Sequence, residues 1–195
     1  MLMYGHNNFF GRAVSCWLNN ENINVTHADY QDTINPSADD LHHTMLFNII
    51  DERRPSAEFV RLLNNSRHNL SSHMVVIIAD SAVVMLCIEL LSVERTLLLS
   101  EKSSLNDYRQ LTALAAGFWD PRLWRSQKKL TEREQQILRL LASGYSAQRI
   151  SSLMGLSYKT IQTHKMKIIT KLGLLNSAEL NQTIVRFNPR LARLS

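Results

Sequence analysis

Apolar residues in the second half of the chain recur at helical spacing. Ile137, Leu138, Leu140 and Leu141 form one stripe, opened by a Thr-x-x-Glu capping box at Thr131 and Glu134 and stopped at Gly144. A shorter stripe follows, capped by Ser146, with Ile150, Leu153 and Met154 inward and Gly155 at its end. Ser157 then caps a third helix with Ile161, Ile168 and Leu172 at core spacing. Its other side carries Tyr158, Lys159, Gln162, Thr163, Met166 and Lys167. A fourth helical stretch ends at Phe187, where Ala178, Leu180, Ile184 and Val185 serve either the domain core or a dimer seam. Two short capped helices, a tight glycine turn and a cation-bearing helix predict an all-α helix-turn-helix domain over residues 130–195.

The first half has a different pattern. Short apolar runs at residues 2–4, 45–50, 74–79 and 96–99 read as buried strands, with Ile23 and Val25 as a further candidate. Helical stretches alternate with them at residues 9–18, 56–63, 82–91 and 105–116. In the first, Phe10, Ala13, Val14 and Trp17 are expected inward, and residues 35–40 read as a loop leading into a weak helix. This alternation predicts an α/β domain over residues 1–117, a parallel sheet flanked by helices. Residues 118–129 break the pattern with Pro121 and a basic run, and are expected to be a linker pinned by Trp119 and Trp124.

Charge sharpens the division. Residues 126–195 hold 12 Lys/Arg against 3 Asp/Glu, whereas residues 1–125 hold 10 against 14, so a net charge of +5 conceals a basic end and an acidic one. A basic helical module fits nucleic acid. Cys16 and Cys87 form no CxxC pair, and both are expected to be buried thiols of a reducing cytosol. Residues 1–20 lack the basic-then-apolar order of a secretory signal. The most apolar run, residues 74–91, is interrupted by Asp80 and Glu89, so no membrane span and a cytoplasmic location are expected. The adjacent His42 and His43 would point about 100° apart on a helix, poorly placed to grip one ion even with Asp39 and Asp40 nearby. The Gly144-Tyr145-Ser146 step lacks the second glycine of a nucleophile elbow, and no phosphate-binding loop is present. No enzyme, metal or cofactor is expected.

Leu130-Thr131-x-Arg133-Glu134, Gly144-x-Ser146, Ile150, Leu153, Thr160-Ile161, His164 and Lys171-Leu172-Gly173-Leu174 resemble the LuxR/NarL/FixJ-type DNA-binding domain in order and spacing. Gly144-Tyr145-Ser146 and the Lys159-Thr160-Ile161-x-x-His164-Lys165 stretch are closest to enterobacterial Rcs-type regulators and their auxiliary partners. Lys167, Thr170 and Ser177 depart from that pattern, standing where asparagine, a basic residue and arginine are common. The resemblance implies double-stranded DNA as partner and a homodimer, or a heterodimer with a related response regulator. Phosphate neutralisation falls to Lys159, Lys165, Lys167 and Lys171, with Arg149, Lys128 and Lys129 as further candidates, and hydroxyl contacts to Ser146 and Thr160. Gln162, Thr163 and Met166 take the base-reading positions; His164 either touches phosphate or packs.

Residues 1–117 more weakly resemble a response-regulator receiver that has lost its chemistry. Gly5 and His6 replace the cation-binding acidic pair, Ala79 the hydroxyl, and Ser100 or Glu101 the lysine, with Lys102 displaced. Asp51, with Pro55 four residues on, stands where the phosphoryl acceptor would, and is either a vestige ending a strand or a working acceptor. The expectation is a pseudo-receiver serving dimerisation and docking. The resulting reading is a transcription regulator of surface-structure genes (fimbriae, capsule, motility) without conventional phospho-signalling. The alternative is a protein-interaction anti-regulator that titrates a related response regulator.

Overall fold

Among the described residues, the four apolar runs of the first half and one short polar edge segment form five strands of one parallel sheet, in the order β2-β1-β3-β4-β5. These are β1 (Leu2–Tyr4), β2 (Thr26–Ala28), β3 (Thr44–Asn48), β4 (Met74–Ala79) and β5 (Thr96–Ser100). The computed structural model describes residues 1–5, 8–28, 44–50, 55–120, 122 and 127–193. Strands β3, β4 and β5 are buried along their whole length, as expected of parallel strands covered on both faces. Alternate side chains feed two cores. Met45, Phe47, Val75, Ile77 and Leu98 face one side, and Leu46, Val76, Ile78, Leu97 and Leu99 the other. Helices α1 (Phe9–Asn20) and α4 (Leu105–Ala115) cover the second face through Val14, Leu18, Leu111 and Leu114. Helices α2 (Ser56–Asn65) and α3 (Val84–Leu90) cover the first through Phe59, Val60, Leu63 and Leu86.

Some expectations need correction. The edge strand β2 lies at residues 26–28 and not at Ile23 and Val25, which pack against the second core as partly buried side chains. In α1, Ala13 is exposed and Leu18 is buried, while Phe10 and Trp17 are half-buried. Cys16 is exposed and not buried; it takes the outward side of α1, beside the buried Ser15. Cys87 is buried, and that burial pushes its thiol pKa up to about 12, outside the reactive range. The weak-helix stretch after residue 35, the His42–His43 pair with Asp39 and Asp40, and Trp124 lie outside the described residues.

Strand order reverses between β1 and β3, the place where doubly wound sheets bind ligands beyond their strand ends. Among the described residues, two amides meet there. Asn48, fully buried at the end of β3, donates to Asn8 Oδ1 (3.1 Å), and Asn8 Nδ2 donates to the Ile50 carbonyl (2.9 Å). Gly5 has φ +136°, and a Cβ there would meet the Asn48 carbonyl oxygen at 2.5 Å. The position demands glycine because backbone packs on backbone. At the neighbouring strand ends, Glu101 accepts from the Ser81 N–H (2.8 Å), and Lys102 is exposed. Asp51 and His6 lie outside the described residues.

The second half folds as α5 (Glu132–Ala142), α6 (Ala147–Met154), α7 (Tyr158–Leu172) and α8 (Ser177–Phe187), then a 3-10 turn (Pro189–Arg193). Its core is Ile137, Leu138, Ile150, Ile161, Ile168, Leu172, Leu180 and Ile184, continuous with the first sheet face through Leu86, Leu90 and Leu91. Leu153, expected inward, is 51% exposed, and Met154 is half-buried. A helix this short buries one narrow stripe, and Ile150 with Ser151 occupies it.

Candidate nucleic-acid interface

Local capping sets the three helices at their angles. The Thr131 N–H donates to Glu134 Oε2 (2.9 Å), completing the expected capping box of α5. Ser146 Oγ accepts from the Arg149 N–H (3.2 Å) at the start of α6. Gly155 closes α6 in the left-handed conformation (φ 63°), letting the Leu156 N–H reach the Ser151 carbonyl at 3.0 Å. Ser157 Oγ accepts from the Thr160 N–H (3.1 Å), and α7 begins.

Helix α7 buries Ile161, Ile168, Ile169 and Leu172. Lys159, Thr163, Met166 and Lys167 are exposed, while Gln162, His164 and Lys165 are partly exposed. Residues 159, 162, 163 and 166 share one face by helical spacing. No acidic residue lies anywhere on α7. This face is exposed with the first domain in place, so that domain does not cover it. Ser146 is exposed at the α6 N-terminus, and Thr160, partly exposed, lies 2.8 Å from the Ser157 hydroxyl through its own oxygen. Thr163 spends its hydroxyl proton on the Lys159 carbonyl (3.0 Å). His164 Nδ1 is buried without a hydrogen-bond partner, so the ring sits partly in the packing between helices.

Lys171 departs from the phosphate-binding role expected of it. Its Nζ donates to Glu134 Oε2 at 2.6 Å, joining α7 to α5. Burial raises the Glu134 pKa, but the Lys171 ammonium and the Thr131 hydrogen bonds outweigh it and leave the carboxyl below its usual range. A depressed folded pKa gives stability that is present above the unfolded value, about 4.3, and lost as pH falls through the folded value. Lys171→Met is expected to cost about 2 kcal/mol in chemical denaturation, less than a fully buried pair because the ammonium is partly solvated. Glu134→Gln should flatten the loss of stability below about pH 4. An unchanged acid limb in that variant would remove the pair from the stability of α7.

Helix α8 begins at Asn176, whose Oδ1 accepts from the Ala178 and Glu179 N–H groups at 2.9 and 3.0 Å. Leu180 and Ile184 are core residues, whereas Ala178 and Val185 face outward. The core use thus takes Leu180 and Ile184 and leaves Ala178 and Val185 on the solvent side.

The linker conceals residues that sequence reasoning missed. Glu89, fully buried on α3, accepts from the Lys129 N–H (2.5 Å), the Leu130 N–H (3.3 Å) and Gln135 Nε2 (3.2 Å). Lys128 Nζ donates to the Leu91 carbonyl (2.8 Å) and Gln127 Nε2 to the Leu98 carbonyl (3.0 Å). Lys128, weighed above as a phosphate contact, is instead directed at the first domain. Burial lowers its pKa, against the favourable field of Glu89. Arg190 also pairs with Glu58 across the junction at 3.1 Å. A cleft of about 430 Å³ beside this junction is lined by Val60, Arg61, Arg139 and Phe187, and none of α7 reaches it. Among the described residues, no group of three or more His, Cys, Asp or Glu side chains is placed to hold a metal ion. Among them, too, no helix is long and apolar enough to cross a membrane.

Residues 128–184 match the family of bacterial regulatory proteins, luxR family. That match spans 57 of the chain's 195 residues, from the end of the linker into helix α8. The chain is 40% identical over 57 residues to the transcriptional regulatory protein TdiR of Thauera aromatica, covering 29% of this chain and 25% of that one. It is 40% identical over 67 residues to the transcriptional regulatory protein UhpA of Salmonella typhimurium, covering 34% and 30%. Over 61 residues it is 39% identical to the response regulatory protein YgeK of Escherichia coli, covering 31% and 42%. The matched segment is thus less than half of each relative. The whole fold resembles the response regulator RcsB in a DNA complex, with TM-score 0.53, 19% identity, and 95% and 96% of the two chains covered. RcsB of Salmonella enterica serovar Typhimurium bound to promoter rprA gives the same TM-score at 16% identity. At such identity the likeness is one of fold.

Proposed function

We propose that this protein is a cytoplasmic, DNA-binding transcriptional regulator that works without conventional phospho-signalling. Residues 1–117 act as a pseudo-receiver, 118–129 as a linker and 130–195 as the DNA-binding domain. The observation that carries this reading is the outward face of α7. It is cationic, free of acid, and exposed while the first domain is docked. Lys159, Lys165 and Lys167 neutralise phosphates, with Ser146 and Thr160 at helix starts and the outer edge of His164 beside them. Gln162, Thr163 and Met166 face base edges. Lys171 supports α7 from behind, through Glu134. Support for duplex DNA as partner also comes from RcsB, whose similar fold is described in complex with DNA and with promoter P1flhDC.

The crevice chemistry favours phosphate-independent action. A hard divalent cation prefers carboxylate oxygens, and the described part of the crevice offers the Asn8 and Asn48 amides, already bonded to each other. Asp51 is then a vestige. The protein acts as a homodimer, or with a related response regulator, through the outward side of α8. A single module buries too little DNA surface for high specificity, and two half-sites multiply it. Surface-structure genes are the target class that the Rcs-type resemblance supports.

Selection of genomic fragments by the full-length protein at near-physiological salt tests this. One motif should be enriched and then lost with Gln162→Ala/Thr163→Ala. Motif-free binding that survives that variant would overturn autonomous sequence recognition.

A further inference from the structure

We propose that Tyr158 is a specificity-determining residue that commits Gln162 to adenine. The inference rests on the DNA-binding reading above and deepens it. Gln162 Nε2 donates to the Tyr158 hydroxyl at 2.6 Å, one helical turn back on α7. Tyr158 is 50% exposed in the first turn of that helix. A glutamine on a helix surface is otherwise free about three torsions, and ordering it costs binding free energy. The hydrogen bond to tyrosine offsets part of that cost before DNA arrives.

The bond also selects a chemistry. A glutamine amide carries two N–H donors and one acceptor oxygen. One N–H is spent on Tyr158, which fixes the amide plane and leaves one donor beside one acceptor. That pair matches the adenine major-groove edge, where N7 accepts and N6–H donates. Guanine presents two acceptors there and leaves the amide oxygen facing a like group.

Neighbouring side chains do not compete for the role. Thr163 has its hydroxyl proton on the Lys159 carbonyl, and Met166 is apolar and 52% exposed. On the outward row, Gln162 is the side chain with a free donor and acceptor together. Because the Tyr158 oxygen accepts from the amide, its own proton remains to donate outward. It lies at the positive end of the helix, where a phosphate is favoured. Backbone register and base reading are thereby tied together: phosphate to Tyr158, Tyr158 to Gln162, Gln162 to adenine.

The test uses full-length protein and the selected duplex, with each A·T pair of a half-site changed in turn to G·C. Wild type should prefer A·T at one position by about tenfold or more. Tyr158→Phe keeps the ring and should lose only a few-fold in affinity for the best duplex, with circular dichroism unchanged. Its preference at that one position should fall to about a third or less of the wild-type ratio. Gln162→Ala should abolish the same preference and no other. If Tyr158→Phe retains the full preference, the tyrosine does not orient the amide. If Gln162→Ala removes a preference for G·C, the adenine assignment is wrong. Motif-free binding by wild type that is lost on charge reversal at Lys159 and Lys165 overturns this inference while leaving DNA binding intact. Binding that survives charge reversal removes the α7 face from DNA contact, and absence of binding by wild type overturns the DNA-binding reading itself.

Discussion

Lys159→Glu/Lys165→Glu is expected to weaken DNA binding roughly 100-fold at near-physiological salt, on specific and unrelated duplexes alike. The reason is the nature of the contact. A lysine at a phosphate releases a condensed counterion, and that gain is indifferent to sequence. The slope of log affinity against log salt should fall by about 2 for one module and about 4 for a dimer. Lys159 lies opposite the Ile161, Ile168 and Leu172 stripe, whereas the partly exposed Lys165 stands one turn from Ile161 on that side, so circular dichroism of the variant should accompany the titration. Titration of the variant across salt separates the outcomes. A uniform loss with a reduced slope places both lysines on phosphate. A loss confined to the selected motif would place them on bases, and no loss would return the α7 face to ordinary solvated surface.

What the sequence disclosed and what it hid follow from distance along the chain. The caps at Thr131, Ser146 and Ser157 and the left-handed Gly155 join residues three or four positions apart, so their residue types announce them. The buried strands were legible because a strand covered on both faces must be apolar throughout, as β4 is. The edge strand β2 was misplaced because an exposed edge carries no such requirement, and Thr26-His27-Ala28 looks like a loop. Lys171 looked like its neighbours on α7, but its partner Glu134 lies 37 residues away. Glu89 was hidden further. Its partners are backbone N–H groups about 40 residues distant, which no residue type signals. In the sequence it interrupts an apolar run and reads as a break in burial, whereas in the fold it is fully buried.

Glu89→Ala is accordingly expected to separate the two domains. It would strand the buried Leu130 N–H, deprive Lys129 and Gln135 of their acceptor, and leave a cavity beside Leu130. A buried donor without a partner costs about 1–3 kcal/mol, so the junction should lose about 2–4 kcal/mol in all. An interface within one chain is modest, and a loss of that size is enough to free the domains from each other. Unfolding should then resolve into two transitions, the linker over residues 118–129 should become sensitive to protease, and small-angle scattering should show a larger molecule. Glu89→Gln keeps one acceptor oxygen and the side-chain volume, and should fall between the two. DNA affinity decides what the docking is for. The α7 face is exposed while the domains are docked, so releasing them uncovers nothing and should not raise affinity. A rise in affinity with Glu89→Ala would show instead that the junction restrains the DNA-binding domain. With no rise, Glu89 holds the two halves in one arrangement that is already open to DNA, which is what the proposed phosphate-independent action requires.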